Sequence, residues 1–481
     1  MRTATRQAHK YLQANAAAEN RQGTRIAADT GGPHFADGGF LHRFKITALL
    51  LGMLLATSLA LAGPRPAWAD SASIPDTMVF APRPSIAAMD SAGAEPQMGV
   101  SLHTSTEEDW LRAPVGQALL THPDPWRSRH GTKPDQVDVT LDYNRVDLLR
   151  PGIWVQVQSP STMYPRLGAR AEYATGRQRA LYGVQFEQPL LPTARFAVGV
   201  TATRRTDHSE LQQVDDVENS LDLAVAREDW RDYFEREGIG AYVSWRVPDF
   251  STVSVHMRRD RYRSLKTNRD TWSMLNKNRE LRANPAIDDG ESHTAVLRLE
   301  RLTRRTSRKR AGLYHWAELE RAGGGLGGAF DYTRALADMR SVVRLSPAVT
   351  LSLRAAGGAA LAGDLPRQKQ FAVGGIDGLR AHSFGAVRGD HMALGQAEYT
   401  IGLWQMRSAG FEGGLHALVF ADAGTAWNDA NHGYDLRGQK FKVDGGVGLA
   451  SSDDDVRVYV ARDLQHSDSG YVVSLRLQRP F

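Results

Sequence analysis

The sequence predicts an all-β fold: a transmembrane antiparallel β-barrel of about sixteen strands with an infolded glycine-rich loop. Three observations predict it. From Val137 onward, apolar and polar residues alternate in runs of strand length. The connections after even-numbered runs are mostly short, and the long ones all follow odd-numbered runs. The last run alternates up to an aromatic end, Phe481.

The chain begins with a leader. The one long apolar stretch runs from Ile46 to Ala62, follows Arg43 and Lys45, and ends at Gly63-Pro64. Ala67-Trp68-Ala69 is a small-x-small cleavage pattern, so residues 1–69 are expected to be a signal peptide with a long n-region, cut before Asp70. An uncleaved anchor helix is the alternative, but the run is short for a spanning helix. Residues 1–69 hold eight Lys or Arg and three Asp or Glu, which is the whole formal charge of +5 and explains the pI of 9.3. The mature chain is then near neutral and lacks the basic footprint that phosphate binding needs, so no nucleic-acid partner is expected. A mean hydropathy of −0.40 excludes a bundle of membrane helices but not a barrel, in which only alternate residues face lipid. The chain has no cysteine, which rules out a disulfide framework and a thiolate metal site.

Residues 70–136 are rich in Pro, Ser and Ala and show no sustained alternation. They read as an irregular periplasmic segment, with room for a short helix near Glu107–Leu120.

The barrel is expected over 137–481. Its strands are placed at 137–146, 152–159, 166–175, 180–188, 194–204, 238–247, 250–262 and 291–303, then at 311–321, 328–345, 348–358, 390–403, 412–422, 440–450, 454–463 and 470–481. In the last of these Tyr471, Val473, Leu475 and Leu477 share one face, while Ser474, Arg476 and Gln478 share the other. A soluble sandwich would alternate as well, so periodicity alone does not choose. Loop parity does. The long connections 205–237, 263–290, 359–389 and 423–439 all follow odd-numbered strands and so share one side, as short periplasmic turns and long outer loops require. Within 219–236, Leu221, Val225, Tyr233 and Phe234 have partial helical spacing, so that outer loop is expected to hold a helix.

The most informative segment is Phe371-Ala-Val-Gly-Gly-Ile-Asp-Gly-Leu-Arg-Ala-His. Gly374 and Gly375 let the loop turn back on itself, and Arg380 needs an anion if it leaves water. Candidates are Asp422 in Phe420-Ala-Asp422-Ala-Gly424, and Glu398. Alternation turns all three of Glu398, Phe420 and Asp422 inward, because Leu415, Ala417, Val419, Tyr399 and Ile401 face lipid. An exposed loop arginine is the plain alternative.

With these motifs in place, the stretch from about Val342 to Phe481 resembles the barrel of the BamA/TamA family of outer membrane proteins, the bacterial surface antigen barrel. The resemblance implies that the loop after strand eleven folds into the barrel and docks its Val-Arg-Gly-Phe/Tyr tip on a Phe-x-Asp-x-Gly motif of strand thirteen. Here the tip is Leu379-Arg380-Ala381-His382: the arginine is kept, while the glycine and the aromatic are not. His382 can stack like an aromatic ring and also titrates near neutrality. Gly374, Gly375, Leu379, Arg380, Glu398, Phe420, Asp422 and Gly424 form the expected loop-docking motif, and Phe481 the expected assembly signal. Relatives carry periplasmic POTRA domains, whose strand and helix pattern residues 70–136 do not show.

The resemblance implies a barrel in the outer membrane of a Gram-negative cell, reached by signal-peptide export, that inserts or translocates polypeptides there. Its partners would be outer-membrane lipid and unfolded outer-membrane or secreted polypeptides, and the barrel would be monomeric. A non-enzymatic channel or structural pore without protein clients is the alternative. No enzyme, cofactor or metal site is expected. Neither a Gly-x-Ser-x-Gly elbow nor a His-Glu-x-x-His occurs, and Gly323-x-Gly325-x-x-Gly328 is followed by a strand, not a helix. Asp453-Asp454-Asp455 reads as a solvated turn.

Overall fold

The computed structural model describes residues 136–481 other than 159–162, 192–194, 210, 212–213, 248–250, 302–311, 347, 409–410, 452–455, 467 and 478–481. The expected signal peptide, the segment 70–136 save Gln136, the Asp453–Asp455 turn and Phe481 lie outside the described residues.

Sixteen antiparallel strands follow one another in a single sheet, each paired with its sequence neighbour. They are β1 Gln136–Asn144, β2 Leu148–Gln158, β3 Arg166–Ala174, β4 Arg179–Pro189, β5 Phe196–Asp207, β6 Phe234–Val247, β7 Ser251–Ser264 and β8 Gly290–Arg301. The second half comprises β9 Gly312–Ala322, β10 Tyr332–Ser346, β11 Val349–Ala362, β12 His391–Ser408, β13 Phe411–Trp427, β14 Lys442–Ser451, β15 Arg457–Asp463 and β16 Tyr471–Arg476. Every strand coincides in the main with an expected span. Among the described residues no ladder pairs β1 with β16, so the sheet has two free edges.

The alternation is physical. On the outer face Val137, Val139 and Leu141 of β1, Val184 and Phe186 of β4, and Val473 and Leu475 of β16 are all exposed. The inner face is charged and buried: Arg150 pairs with Asp142 at 2.8 Å, and Arg354 with Asp338 at 2.7 Å. An apolar outside around a charged interior suits hydrocarbon outside and a polar lumen within.

The long connections 208–233, 265–289, 363–390 and 428–441 follow β5, β7, β11 and β13, so they share one end. They meet there. Arg145, in the β1–β2 turn, reaches Asp229 at 3.1 Å and Asn284 at 3.2 Å, and the Asp288 amide donates to Gln368 at 3.1 Å.

Several strands run four or five residues beyond their expected spans, as β6, β12 and β13 do, and two other differences have a local cause. β10 starts at Tyr332 rather than 328, because a 3₁₀ turn at Gly324–Leu326 precedes it and Gly327 and Gly328 adopt φ of +78° and +97°. The outer-loop helix, α1, spans Asp216–Ala226 rather than 219–236. Asp215 caps its start by accepting from the Val217 amide, and Arg227 ends it in the left-handed conformation at φ 64°. Tyr233 instead packs with Val146 and Leu265, and Phe234 opens β6.

Candidate functional site

Between β11 and β12 the chain folds inward as a ribbon. Phe371–Val373 pairs antiparallel with Val387–Gly389, with Val373 opposite Val387. Gly374 and Gly375 then reverse the backbone at φ of +127° and +82°, conformations that L side chains rarely adopt. The tip closes on itself, the Gly375 amide donating to the His382 carbonyl at 3.0 Å. Phe371, Val373 and Leu379 are fully buried with Met392 and Leu394 of β12 and Leu336 of β10. This apolar cluster draws the ribbon into an otherwise polar lumen. Gly424 makes room for it, since a Cβ there would lie 3.0 Å from Val373 Cγ1 and 3.1 Å from Leu394 Cδ1.

At the tip Arg380 is almost wholly buried and fully engaged. Its Nε and Nη2 donate to Asp422 Oδ2 and Oδ1, each at 2.8 Å, and its Nη1 donates to Glu398 Oε2 at 3.0 Å. The guanidinium carbon stands 3.7 Å from the Phe420 ring centre and 4.7 Å from that of Tyr459. A buried cation thus meets a bidentate carboxylate, a second carboxylate and two ring faces. Burial opposes the charge, but Asp422, then Tyr459 and Glu398, raise the Arg380 pKa above its ordinary value. Glu398 is shared further: Tyr459 donates to its Oε2 at 2.9 Å, and Arg457 binds its Oε1.

The residues that replace the family's glycine and aromatic contribute differently. The Ala381 amide donates to Asp444 Oδ2 at 2.6 Å. His382 faces carboxylates: its Nδ1 lies 2.8 Å from Asp444 Oδ1 and its Nε2 3.5 Å from Asp463 Oδ2. The reason is local. The register sets Asp444 opposite both Asp422 and Asp463, so this part of the lumen presents a row of carboxylates rather than a ring. His382, Asp444 and Asp463 have donor atoms within 4.8 Å of one another, a spacing compatible with a metal ion. In this arrangement the imidazole itself sits between the two carboxylates.

Further wall residues hold the tip. Arg354 of β11 donates to the Asp377 carbonyl at 2.7 Å and to Gln396 Oε1 at 3.0 Å. Gln396 of β12 donates to the Gly378 carbonyl at 2.8 Å. Arg476 of β16 donates to the Ile376 carbonyl at 3.2 Å and to Asp377 Oδ1 at 2.9 Å.

The structure therefore gathers Gly374, Gly375, Leu379, Arg380, Glu398, Phe420, Asp422 and Gly424 in one place, while Phe481 lies outside the described residues. Sequence reasoning missed Arg354, Gln396, Asp444, Arg457, Tyr459 and Arg476 as partners of the tip. Alternation set Arg476 on the polar face of the last strand, but the proximity of Arg457, Tyr459 and Arg476 to Arg380 or Asp377 depends on barrel curvature, which no short motif encodes.

A family model for the Omp85 superfamily domain matches residues 165–480. Among curated proteins, the outer membrane protein assembly factor BamA of Nitratidesulfovibrio vulgaris is 28% identical over 229 residues, covering 44% of this chain and 27% of that protein. The match thus spans about a quarter of that relative's length. Among solved structures, BamA from Haemophilus ducreyi lacking POTRA domains 1-3 is similar at 11% identity and a TM-score of 0.46, over 71% of this chain and 70% of that one. CdiB from Acinetobacter baumannii is similar at 11% identity and a TM-score of 0.40, over 72% of this chain and 65% of that one. With two thirds of its length matched to one family model, a sixteen-strand antiparallel sheet and apolar strand faces turned outward, the chain belongs to the Omp85 superfamily of outer membrane proteins.

Proposed function

We propose that this barrel inserts or translocates polypeptides at the outer membrane and does so without catalysing a covalent reaction. One observation carries the reading. The first and last wall strands share no ladder among the described residues, so neither edge is closed by a neighbouring strand at the seam. Such an edge is a template on which an incoming extended segment adds as a strand, held by main-chain hydrogen bonds. In an Omp85 chain this supports unfolded outer-membrane or secreted polypeptides as clients, with bilayer lipid around a single barrel. The docked ribbon favours the same reading over a simple pore, because it fills the lumen with buried ion pairs that a solute path would have to avoid.

The test is the outer-membrane proteome after depletion of the protein. Selective loss of other barrels or of secreted proteins is the expected result. An unchanged proteome with altered small-solute permeability would establish a channel instead.

A further inference from the structure

The helix α1 packs against β1, which among the described residues has no strand on its other side. On one flank, Ser220 Oγ accepts the backbone N–H of Tyr143 at 2.9 Å. That amide belongs to β1 and points away from β2, toward the unpaired edge. On the other flank, Glu218 Oε1 lies 2.7 Å from Arg476 Nε of β16. Residues two apart on a helix are separated by about 200° around its axis. Ser220 and Glu218 therefore reach in opposite directions, one to an edge amide of β1 and the other to an inward-facing arginine of β16.

The remaining faces sort the same way. Asn219 and Leu223 are buried, and Asn219 bonds to Asp229 at 3.3 Å and to the Tyr233 hydroxyl at 3.0 Å. Opposite them Val217, Leu221 and Val225 form an apolar stripe that is 41%, 46% and 43% exposed. A stripe spaced by four residues is what a helix normally buries. Val137, Val139 and Leu141 of the neighbouring β1, and Tyr471, Val473 and Leu475 of β16, are exposed apolar residues as well.

Both ends of α1 are fixed. Arg231 holds Asp216 in the first turn. The Ala224 and Val225 carbonyls, without partners inside the helix, accept the Met274 and Leu275 amides of the 265–289 loop at 2.7 and 2.9 Å. Beside that end the Tyr143 hydroxyl donates to the Trp272 carbonyl at 2.8 Å, and Lys277 lies 6.0 Å from the exposed Trp272 ring. Tyrosine, tryptophan and a lysine together are the residues that settle at a membrane–water interface. Eleven residues make a helix of about 16 Å, close to half the hydrocarbon thickness of a bilayer.

We propose that α1 is part of the barrel wall: it fills the outer half of the gap between β1 and β16 and presents Val217, Leu221 and Val225 to the acyl chains of the bilayer. The inference goes beyond polypeptide handling and holds whether or not the barrel has clients. It gives the seam a cover made of a helix, so an incoming strand must displace the Ser220 hydroxyl before it can take the Tyr143 N–H.

The chain has no cysteine, so single cysteines label cleanly. The full-length protein carrying Leu221→Cys or Val225→Cys is spin-labelled, reconstituted into dioleoylphosphatidylcholine bilayers, and probed with oxygen and with a water-soluble nickel chelate. Val139→Cys serves as the lipid-facing control and Asp270→Cys as the aqueous one. The expected result is oxygen access and loss of nickel access at both helix positions, matching Val139→Cys. Nickel access equal to that at Asp270→Cys would overturn the proposal, placing the stripe in water. Exclusion of both probes would overturn it too, because protein would then cover the stripe. As a second reading, Glu218→Cys with Arg476→Cys should cross-link with a short bis-maleimide in intact outer membranes. Absence of that product, together with efficient Leu141→Cys to Val473→Cys disulfide formation, would show that β1 and β16 meet directly without the helix.

Discussion

Arg380 and Asp422 lie 42 residues apart and face each other through two parallel hydrogen bonds, each of 2.8 Å. This fork joins an outer loop to the inner face of β13 and fixes both the position and the rotation of the tip. Replacing Arg380 with alanine leaves a buried carboxylate without its main cation. Breaking such a pair costs about 3 to 5 kcal/mol, and less where water can enter. The sixteen-strand ladder does not depend on it. Arg380→Ala should therefore insert normally yet show raised or noisier conductance in planar bilayers, with new protease cleavage between Gly363 and Gly389. Asp422→Ala should behave alike, and the double variant should add little, since both remove one interaction. Wild-type conductance and proteolysis in Arg380→Ala would mean that the apolar ribbon alone holds the loop.

A lysine should not substitute for Arg380. It offers a point charge without the planar fork, and it cannot lie flat over Phe420 at 3.7 Å while reaching Asp422 and Glu398 together. Arg380→Lys is expected to keep the charge but lose most of the docking, with proteolysis of the loop closer to that of Arg380→Ala than to wild type. Full protection in the lysine variant would show that net charge in the lumen, rather than geometry, retains the tip.

Much of this was legible in the sequence because the barrel obeys a two-residue period. Alternation alone turned Glu398, Phe420 and Asp422 inward, and loop parity placed the Arg380 loop with the other long loops. The remaining partners were not legible. Asp444 opposes Asp422 only through the β13–β14 register, and Arg476 meets Asp377 only because the sheet curls its last strand back toward the loop. Whether His382 would stack or meet a charge was not legible either, since the identity of the facing wall is a tertiary property, and it sits between carboxylates. That β1 and β16 share no ladder among the described residues does not follow from alternation, which reports the faces of a strand and not its neighbours.

Gly424 tests whether the ribbon needs a smooth wall. A valine there would bring side-chain atoms against Val373 and Leu394, whose nearest atoms lie 3.0 and 3.1 Å from the added Cβ. Overpacking of this kind costs about 1 to 3 kcal/mol. Gly424→Val should leave β13 paired with β12 and β14 but lift the ribbon, which faster hydrogen exchange of the Phe371–Val373 amides would report. Unchanged exchange there would show that the ribbon has slack at this contact.

The last prediction concerns Arg476, which binds two loops at once: Glu218 of α1 at 2.7 Å and Asp377 of the tip at 2.9 Å. With its side chain almost fully buried between two carboxylates, it couples loops that are otherwise far apart in sequence. Removing it takes a cation from both carboxylates, so Arg476→Gln should raise proteolysis in 208–233 and in 363–390 together, whereas Glu218→Gln should affect the first loop more than the second. Residues that share a partner show interaction energies of about 0.5 to 3 kcal/mol, so the double variant Glu218→Gln with Asp377→Asn should be non-additive. The measurement is limited proteolysis in membranes of the wild type, Arg476→Gln, Glu218→Gln, Asp377→Asn and the double variant, with the barrel's heat-modifiable migration as the control for folding. If the two loops respond independently in the double variant, Arg476 joins them in space but not in energy.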